Sequence, residues 1–326
     1  MTASGFIVFG AGHWHAPWYL KALLDAGQTV LAVSDASDTA ARQLVDGRDI
    51  AVFADPMEML ERRPEAVALV LTRPSETPAL LSRLLDRGMP FVLEKPGTVD
   101  APALAPTVEA LRRTGLRTAV PFVNRDMDFW AETRGLQAHA DDWTYAHFRI
   151  LAGPPDRYRR DNVGWVLDPA IYGGGALRNL GVHAADAALT LAGTELSVRS
   201  ATVSNRLHGL PVEDFAQATL ETRDGRTITI EAGYCMPAEN AADKEWRVQG
   251  LDWAVAESNG QLSLRTPKGR ASRPSAPSAS QYHAFGLQMA AFARGETIVG
   301  ATVDDLYKAQ GLVDRIYAAA TANRSS

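Results

Sequence analysis

The sequence has a single cysteine, Cys235, among 326 residues. That rules out a disulfide within the chain and any metal site built on a cysteine cluster, and it fits a reducing compartment. An excess of one charge is also missing: 33 Lys and Arg stand against 38 Asp and Glu, a formal net charge of -5, with the two signs interspersed. A weakly acidic chain does not hold a phosphate backbone by bulk electrostatics, so no nucleic-acid partner is expected. No window reaches the roughly 18 consecutive apolar residues of a membrane-spanning helix. Met1 to Phe9 carry neither a basic stretch ahead of a long apolar one nor a twin arginine, so no export signal is expected. The expectations are no membrane contact and a cytoplasmic location.

What is present is ordinary for a folded protein, with 46% hydrophobic and 22% charged residues, over a length that suggests two domains. Residues 5 to 121 alternate short apolar runs with amphipathic stretches. The runs are Phe6–Phe9, Val30–Val33, Ala51–Phe53, Val67–Leu71, Phe91–Leu93 and Thr118–Val120. Near-continuous runs rich in β-branched residues read as strands buried on both faces, hence a parallel sheet. Helical patterns lie between them at Tyr19–Ala26, Thr77–Arg87 and Ala103–Arg113, which gives an open doubly wound α/β unit over 1–121. After Pro121 the pattern turns to β-rich stretches at Trp143–Leu151, Val198–Asn205, Phe215–Thr222 and Thr227–Ala232. Asp224-Gly225 between the last two predicts a hairpin, so residues 122–326 should hold a largely antiparallel sheet. Residues 265–280, rich in Pro, Ser, Lys and Arg, read as an exposed loop, and amphipathic helices follow at about Gln281–Arg294 and Val303–Ala320.

The strand Phe6–Phe9 runs into Gly10-Ala11-Gly12-His13-Trp14-His15 and then a helix. Gly10 permits a tight turn, and Gly12 lets the backbone approach a pyrophosphate at the helix N-terminus. His15 stands where the fingerprint has its third glycine, so the helix should pack differently here. Asp35 ends the next strand, 20 residues past His15, where an acidic side chain binds the ribose hydroxyls. Its carboxylate repels a 2′-phosphate and no arginine follows until Arg42, which favours NAD over NADP. The competing reading is that Asp35 caps a helix over Ala36–Val45. His13 and His15 are two apart and lack a carboxylate or cysteine cluster, so they should pack against cofactor or the opposite domain rather than bind metal.

Two more segments carry chemistry. Phe91–Leu93 leads into Glu94-Lys95-Pro96, which puts a lysine at the C-terminal end of a buried strand, where open α/β sheets bind ligands. Farther on, Gly173-Gly174-Gly175 open a helical stretch in which Asn179 and His183 share a face and Gly181 leaves room for close approach. Asn124 and Arg125 follow the last strand of the first half, where pockets form between domains. Arg157 and Tyr158 sit in a Pro-rich loop, and Asp168 before Pro169 could equally begin a turn.

With these segments in this order, the chain resembles the Gfo/Idh/MocA family, named for glucose–fructose oxidoreductase, inositol dehydrogenase and a rhizopine-catabolism protein. The resemblance takes in Gly10-Ala11-Gly12, Thr72 (16 residues before Gly88), Glu94-Lys95-Pro96, Leu167-Asp168-Pro169, the run Gly173 to His183, Val212-Glu213-Asp214-Phe215 and the closing helices. It implies an N-terminal Rossmann domain over 1–121 and a C-terminal α/β domain over 122–326, whose large sheet serves substrate binding and oligomer contacts in a homodimer or homotetramer. It implies hydride transfer between NAD and a carbinol carbon of a sugar or cyclitol. Lys95 would bind the reacting oxygen and His183 would act as general acid/base beside Asn179. Gly10, Ala11, Gly12, His13, Trp14, Asp35, Thr72, Arg73, Glu94 and Lys95 would face the cofactor. Asn124, Arg125, Tyr158, Trp165, Asp168, Asn179 and His183 would face the substrate, with no metal.

The chain departs from the family pattern in that substrate region. Asn179 stands where aspartate is usual, so His183 should be less basic than in relatives. Thr72-Arg73 replaces a Thr-Pro pair, Thr77 takes a frequent histidine position, and Val166 follows Trp165 where arginine is common. Two other functions remain open on the same scaffold. One is a glycosidase that oxidises a ring carbon transiently with bound NAD. The other is a sensor that binds dinucleotide without catalysis.

Overall fold

The computed structural model describes residues 4–137, 143–239, 241–298 and 300–324. The first half builds β1 (Phe6–Phe9), α1 (Ala16–Asp25), β2 (Val30–Ser34), α2 (Asp38–Leu44), β3 (Ala51–Phe53), α3 (Pro56–Arg62), β4 (Val67–Val70), α4 (Thr77–Asp86), β5 (Phe91–Leu93), α5 (Ala101–Thr114) and β6 (Thr118–Ala119). All six strands run parallel in the order β3-β2-β1-β4-β5-β6, the doubly wound arrangement, with its crossover between β1 and β4. Phe6, Ile7, Val67, Ala68, Phe91 and Val92 are fully buried, as strands covered on both faces must be. Helix starts follow local chemistry. Ser37, Asp55 and Asp100 cap α2, α3 and α5 by accepting from Ala40, Met57 and Ala103 N–H.

The second half opens with α6 (Asp128–Gln137), β7 (Tyr145–Ala152), α7 (Asp156–Arg160) and α8 (Pro169–Tyr172). A π-helical turn over Leu177–Gly181 then runs into α9 (Val182–Ala192). The strands β8 (Leu196–Ser204), β9 (Phe215–Thr222), β10 (Thr227–Gly233), β11 (Ala242–Gln249), β12 (Ala254–Ser258), β13 (Gln261–Thr266) and β14 (Gly269–Pro274) follow, and α10 (Ser278–Ala293) and α11 (Val303–Arg324) close the fold. With β7 they form one sheet in the order β14-β13-β12-β11-β7-β10-β9-β8, antiparallel throughout except where β10 runs beside β7. The hairpin at Asp224-Gly225 joins β9 to β10, with Gly225 at φ 89°.

The expected loop over 265–280 is a correction. Most of it is the β13–β14 hairpin followed by the start of α10. Every residue of β14 is exposed, so no apolar alternation marks it, and its Arg and Pro content is that of a guarded sheet edge. Helix α10 folds back onto the first half. Phe285 packs 5.3 Å from the Tyr19 ring, and a Cβ on Gly286 would lie 2.3 Å from Ala22 O, so the two backbones nearly touch. Among the described residues no helix is long and apolar enough to cross a membrane.

Candidate active site

The turn after β1 is shaped by its glycines. Gly10 has φ 82°, and a Cβ there would stand 2.4 Å from Leu71 O, so no larger residue fits between β1 and β4. The Gly12 N–H donates to Asp35 Oδ2 at 2.8 Å, and a Gly12 Cβ would press on that carboxylate and on Ala40 at 3.2 Å. Asp35 Oδ1 accepts from Ser37 N–H, and Ser37 rather than Asp35 caps α2. A cleft of about 860 Å³ runs over this turn. Gly10, Ala11, Gly12, His13, Trp14, Asp35, Thr72 and Arg73 line it, with Trp165 from the second half on its far wall. A glycine floor, an N-terminal helix turn and a carboxylate at the β2 end suit a dinucleotide.

His15, in the third-glycine position, reaches the segment after β5. Its Nδ1–H donates to Glu94 Oε1 at 3.0 Å, and Tyr19 O–H donates to the other oxygen. Glu94, 4% exposed, is thus held between two side chains from the start of α1 and lies outside the cleft lining. His13 stacks on Trp14 with centroids 3.8 Å apart and faces Trp165 at 5.9 Å, so it does pack toward the opposite half.

Lys95 enters from the end of β5 and is 3% exposed. Its ammonium donates to Asn179 O at 3.0 Å and Asn179 Oδ1 at 3.2 Å. Burial lowers its pKa, against the pull of Glu94. Asn179 projects from the π turn, a wider helical geometry that recurs at functional sites. Its Oδ1 also accepts from Tyr172 O–H at 3.1 Å, and its Nδ2 donates to the hydroxyls of Tyr158 at 2.7 Å and Tyr234 at 3.0 Å. The amide is enclosed by three tyrosines and one lysine.

His183 lies one turn on. Its ring meets Phe122 edge-on at 5.6 Å, and its buried Nδ1 has no hydrogen-bond partner. Burial first, then the charges of Lys95 and Lys244, push its pKa well below 6.5, so it is a neutral imidazole at pH 7. A buried nitrogen without a partner is costly unless a ligand completes it.

Other expected substrate contacts are used differently. Arg125 forks onto Asp186 at 2.6 and 2.9 Å and reaches Asp305, so the structure does not bring it to His183. Asp168 Oδ1 caps α8 through Ala170 N–H. Asn124 approaches indirectly, its Oδ1 accepting from Lys244 Nζ at 2.6 Å. Thr72 Oγ1 meets Thr77 Oγ1 at 2.9 Å, and Arg73 stands 3.5 Å from Glu76. Sequence reasoning missed Tyr172, Tyr234 and Lys244. For Lys244 a signal existed: Lys244, Trp246 and Val248 alternate on one face of β11, and a lysine in that inward row is out of place.

Sheet order, glycine turn and cleft together define a dinucleotide-binding α/β protein. Residues 5–122 match the model of an oxidoreductase family with an NAD-binding Rossmann fold, and residues 142–253 match the GFO/IDH/MocA C-terminal domain. The chain therefore belongs to the Gfo/Idh/MocA family of NAD-binding oxidoreductases. It is 34% identical over 142 residues to inositol 2-dehydrogenase of Streptomyces avermitilis, a match spanning 42% of this chain and 40% of that relative. Solved structures that share its fold include two bound to a nicotinamide cofactor. One is an oxidoreductase from Agrobacterium radiobacter in complex with NAD+, L-tartaric acid and magnesium (TM-score 0.85, 16% identity, 99% and 98% of the two chains). The other is levoglucosan dehydrogenase with NADH and L-sorbose (TM-score 0.81, 15% identity, 97% of each chain).

Proposed function

We propose that the protein is an NAD-dependent dehydrogenase or reductase that moves a hydride between nicotinamide and a carbinol or carbonyl carbon of a sugar, cyclitol or related polyol. The observation that carries this reading is the buried, bare Nδ1 of a neutral, half-buried His183 together with a buried lysine whose hydrogen bonds go to the two oxygens of Asn179. The named substrates of the inositol and levoglucosan enzymes support the polyol class. Asp35 on the cleft wall supports NAD over NADP.

When bound, NAD supplies the two-electron acceptor for hydride. The chain's own groups handle the proton and the oxygen. In the oxidative direction a neutral imidazole takes the hydroxyl proton as the C–H bond breaks, and in the reductive direction its conjugate acid returns it. The Lys95 ammonium orients that oxygen and stabilises the negative charge developing on it. Asn179 fixes Lys95 in place, and its tyrosine cage keeps water from competing for the ammonium.

The test is a Lys95→Met variant assayed for NAD+ reduction over a polyol panel, with NADH binding followed by fluorescence. Turnover should drop about 10²–10³-fold while NADH still binds. Unchanged turnover removes Lys95 from the mechanism, and failure of the unmodified protein to bind NADH removes the whole reading.

A further inference from the structure

Away from this site, the buried Arg178 pairs with Asp314 and the half-buried Arg125 with Asp186. Three cations around His183 do without a carboxylate, as does the half-buried Arg117, which donates to Phe292 O and lies over that ring. Lys95 donates only to the carbonyl and amide oxygens of Asn179. Lys244 directs its ammonium to the amide oxygen of Asn124 and lies over the Trp246 ring at 5.1 Å. Arg157 donates to Tyr158 O–H and stacks on that ring at 4.8 Å. Among the described residues, no carboxylate oxygen comes within 4.0 Å of any of these three. The nearby carboxylates are occupied: Glu94 by His15 and Tyr19, and Glu257 by the Phe129 N–H at 2.9 Å.

The strands put Lys244 on the sheet face beneath the helix that carries Asn179 and His183. Lys244 pairs with Ile150 across β11–β7, and Ile150 with Ala232 across β7–β10. A Cβ on Gly181 would sit 3.2 Å from Ala232 Cβ. From the opposite side, Asn124 follows Phe122, whose ring meets His183. Two lysines thus bracket an uncharged imidazole, each held by an asparagine where a carboxylate would neutralise it. Burial moves Lys244 down to about 8, still largely protonated at pH 7. Glu94 and Glu257 favour the charged forms of Lys95 and Lys244 from a distance, but neither touches its lysine, and a cation withdrawn from water without a bonded counter-charge is costly. A ligand that brings the anion removes that cost.

We propose that the substrate is anionic: a polyol carrying a carboxylate, which Lys244 receives while a hydroxyl lies at Lys95 and His183. The proposal rests on the dehydrogenase reading for which carbon reacts, though not for the ligand's charge.

Galactonate and galactitol differ in one terminal group, carboxylate against hydroxymethyl, and gluconate and glucitol differ in the same way. Calorimetric titration of the NADH-loaded full chain at pH 7 should show at least one aldonate binding ten-fold or more tighter than its alditol. Lys244→Gln should bring that pair within about three-fold, whereas Lys244→Arg, which keeps the charge, should retain the preference. Thermal melts confirm that both variants fold. Equal affinities in both pairs, no binding of any of the four, or an undiminished preference in Lys244→Gln overturns the proposal. Turnover with NAD+ is read separately. A carboxylate preference without NAD+ reduction leaves the ligand class standing and removes the dehydrogenase reading. NAD+ reduction by alditols with no preference does the reverse.

Discussion

Asn179 satisfies its amide completely, with two acceptor and two donor contacts, yet brings no charge to Lys95. An aspartate fits the same cage, because the hydroxyls of Tyr158 and Tyr234 can rotate to donate instead. Asn179→Asp would add a negative charge beside Lys95 and near His183, and an anion favours the protonated form of both. The His183 titration, followed by NMR of the imidazole, should move up. An unmoved titration would show that the site does not sense charge at position 179. The residues that local sequence could expose were Gly10, Gly12, Asp35, Lys95 and His183, each tied to a strand end or glycine run next to it. Of the cage, Tyr158 was legible as a residue facing the substrate. Tyr172, on α8, and Tyr234, just past β10, come from separate segments that only the fold makes neighbours.

At the level of elements, the glycine turn divides its duties. Gly10 is required by the backbone, with positive φ and Leu71 O against it, whereas Gly12 faces the Asp35 carboxylate and the cleft. Gly10→Ala should therefore cost stability, about 1–3 kcal/mol from the strained conformation alone, read by denaturant unfolding. Gly12→Ala should leave the unfolding midpoint nearly in place and weaken NADH binding about ten-fold, or about 1.4 kcal/mol. The reverse pattern would mean that the turn is held by the cleft rather than by β4. The strands of the first sheet were readable almost to the residue, since burial on both faces leaves unbroken apolar runs. The second sheet was readable only in part. Strands β7 to β10 show alternation or a turn signal, while β11 to β13 are short or rich in charged residues and β14 carries no apolar residue pattern to find.

Across the whole molecule, three imidazoles tie stability to pH. Burial chiefly holds His13, His15 and His183 below the ordinary 6.5. Below pH 6.5 the unfolded chain takes up protons that the folded chain refuses, so stability is fully present above that value and is lost as pH falls. Each imidazole contributes up to about 1.4 kcal/mol per pH unit. Asp186 acts in the opposite sense, because burial raises it to about 6 and its protonation in the folded state offsets part of the loss below that point. Thermal melts between pH 7.5 and 6 should therefore fall with pH, and a His183→Asn variant should fall less steeply. A flat profile would mean that these rings are charged in the folded protein.

The seat of α10 on α1 sets an order of events during synthesis. Tyr19 and Ala22, on the helix that follows the glycine turn, find their cover in Phe285 and Gly286. A ribosome that has finished all six strands of the nucleotide-binding sheet has yet to make that cover. The nascent first half must wait, with one flank of α1 bare, until the chain has been read through the whole second sheet.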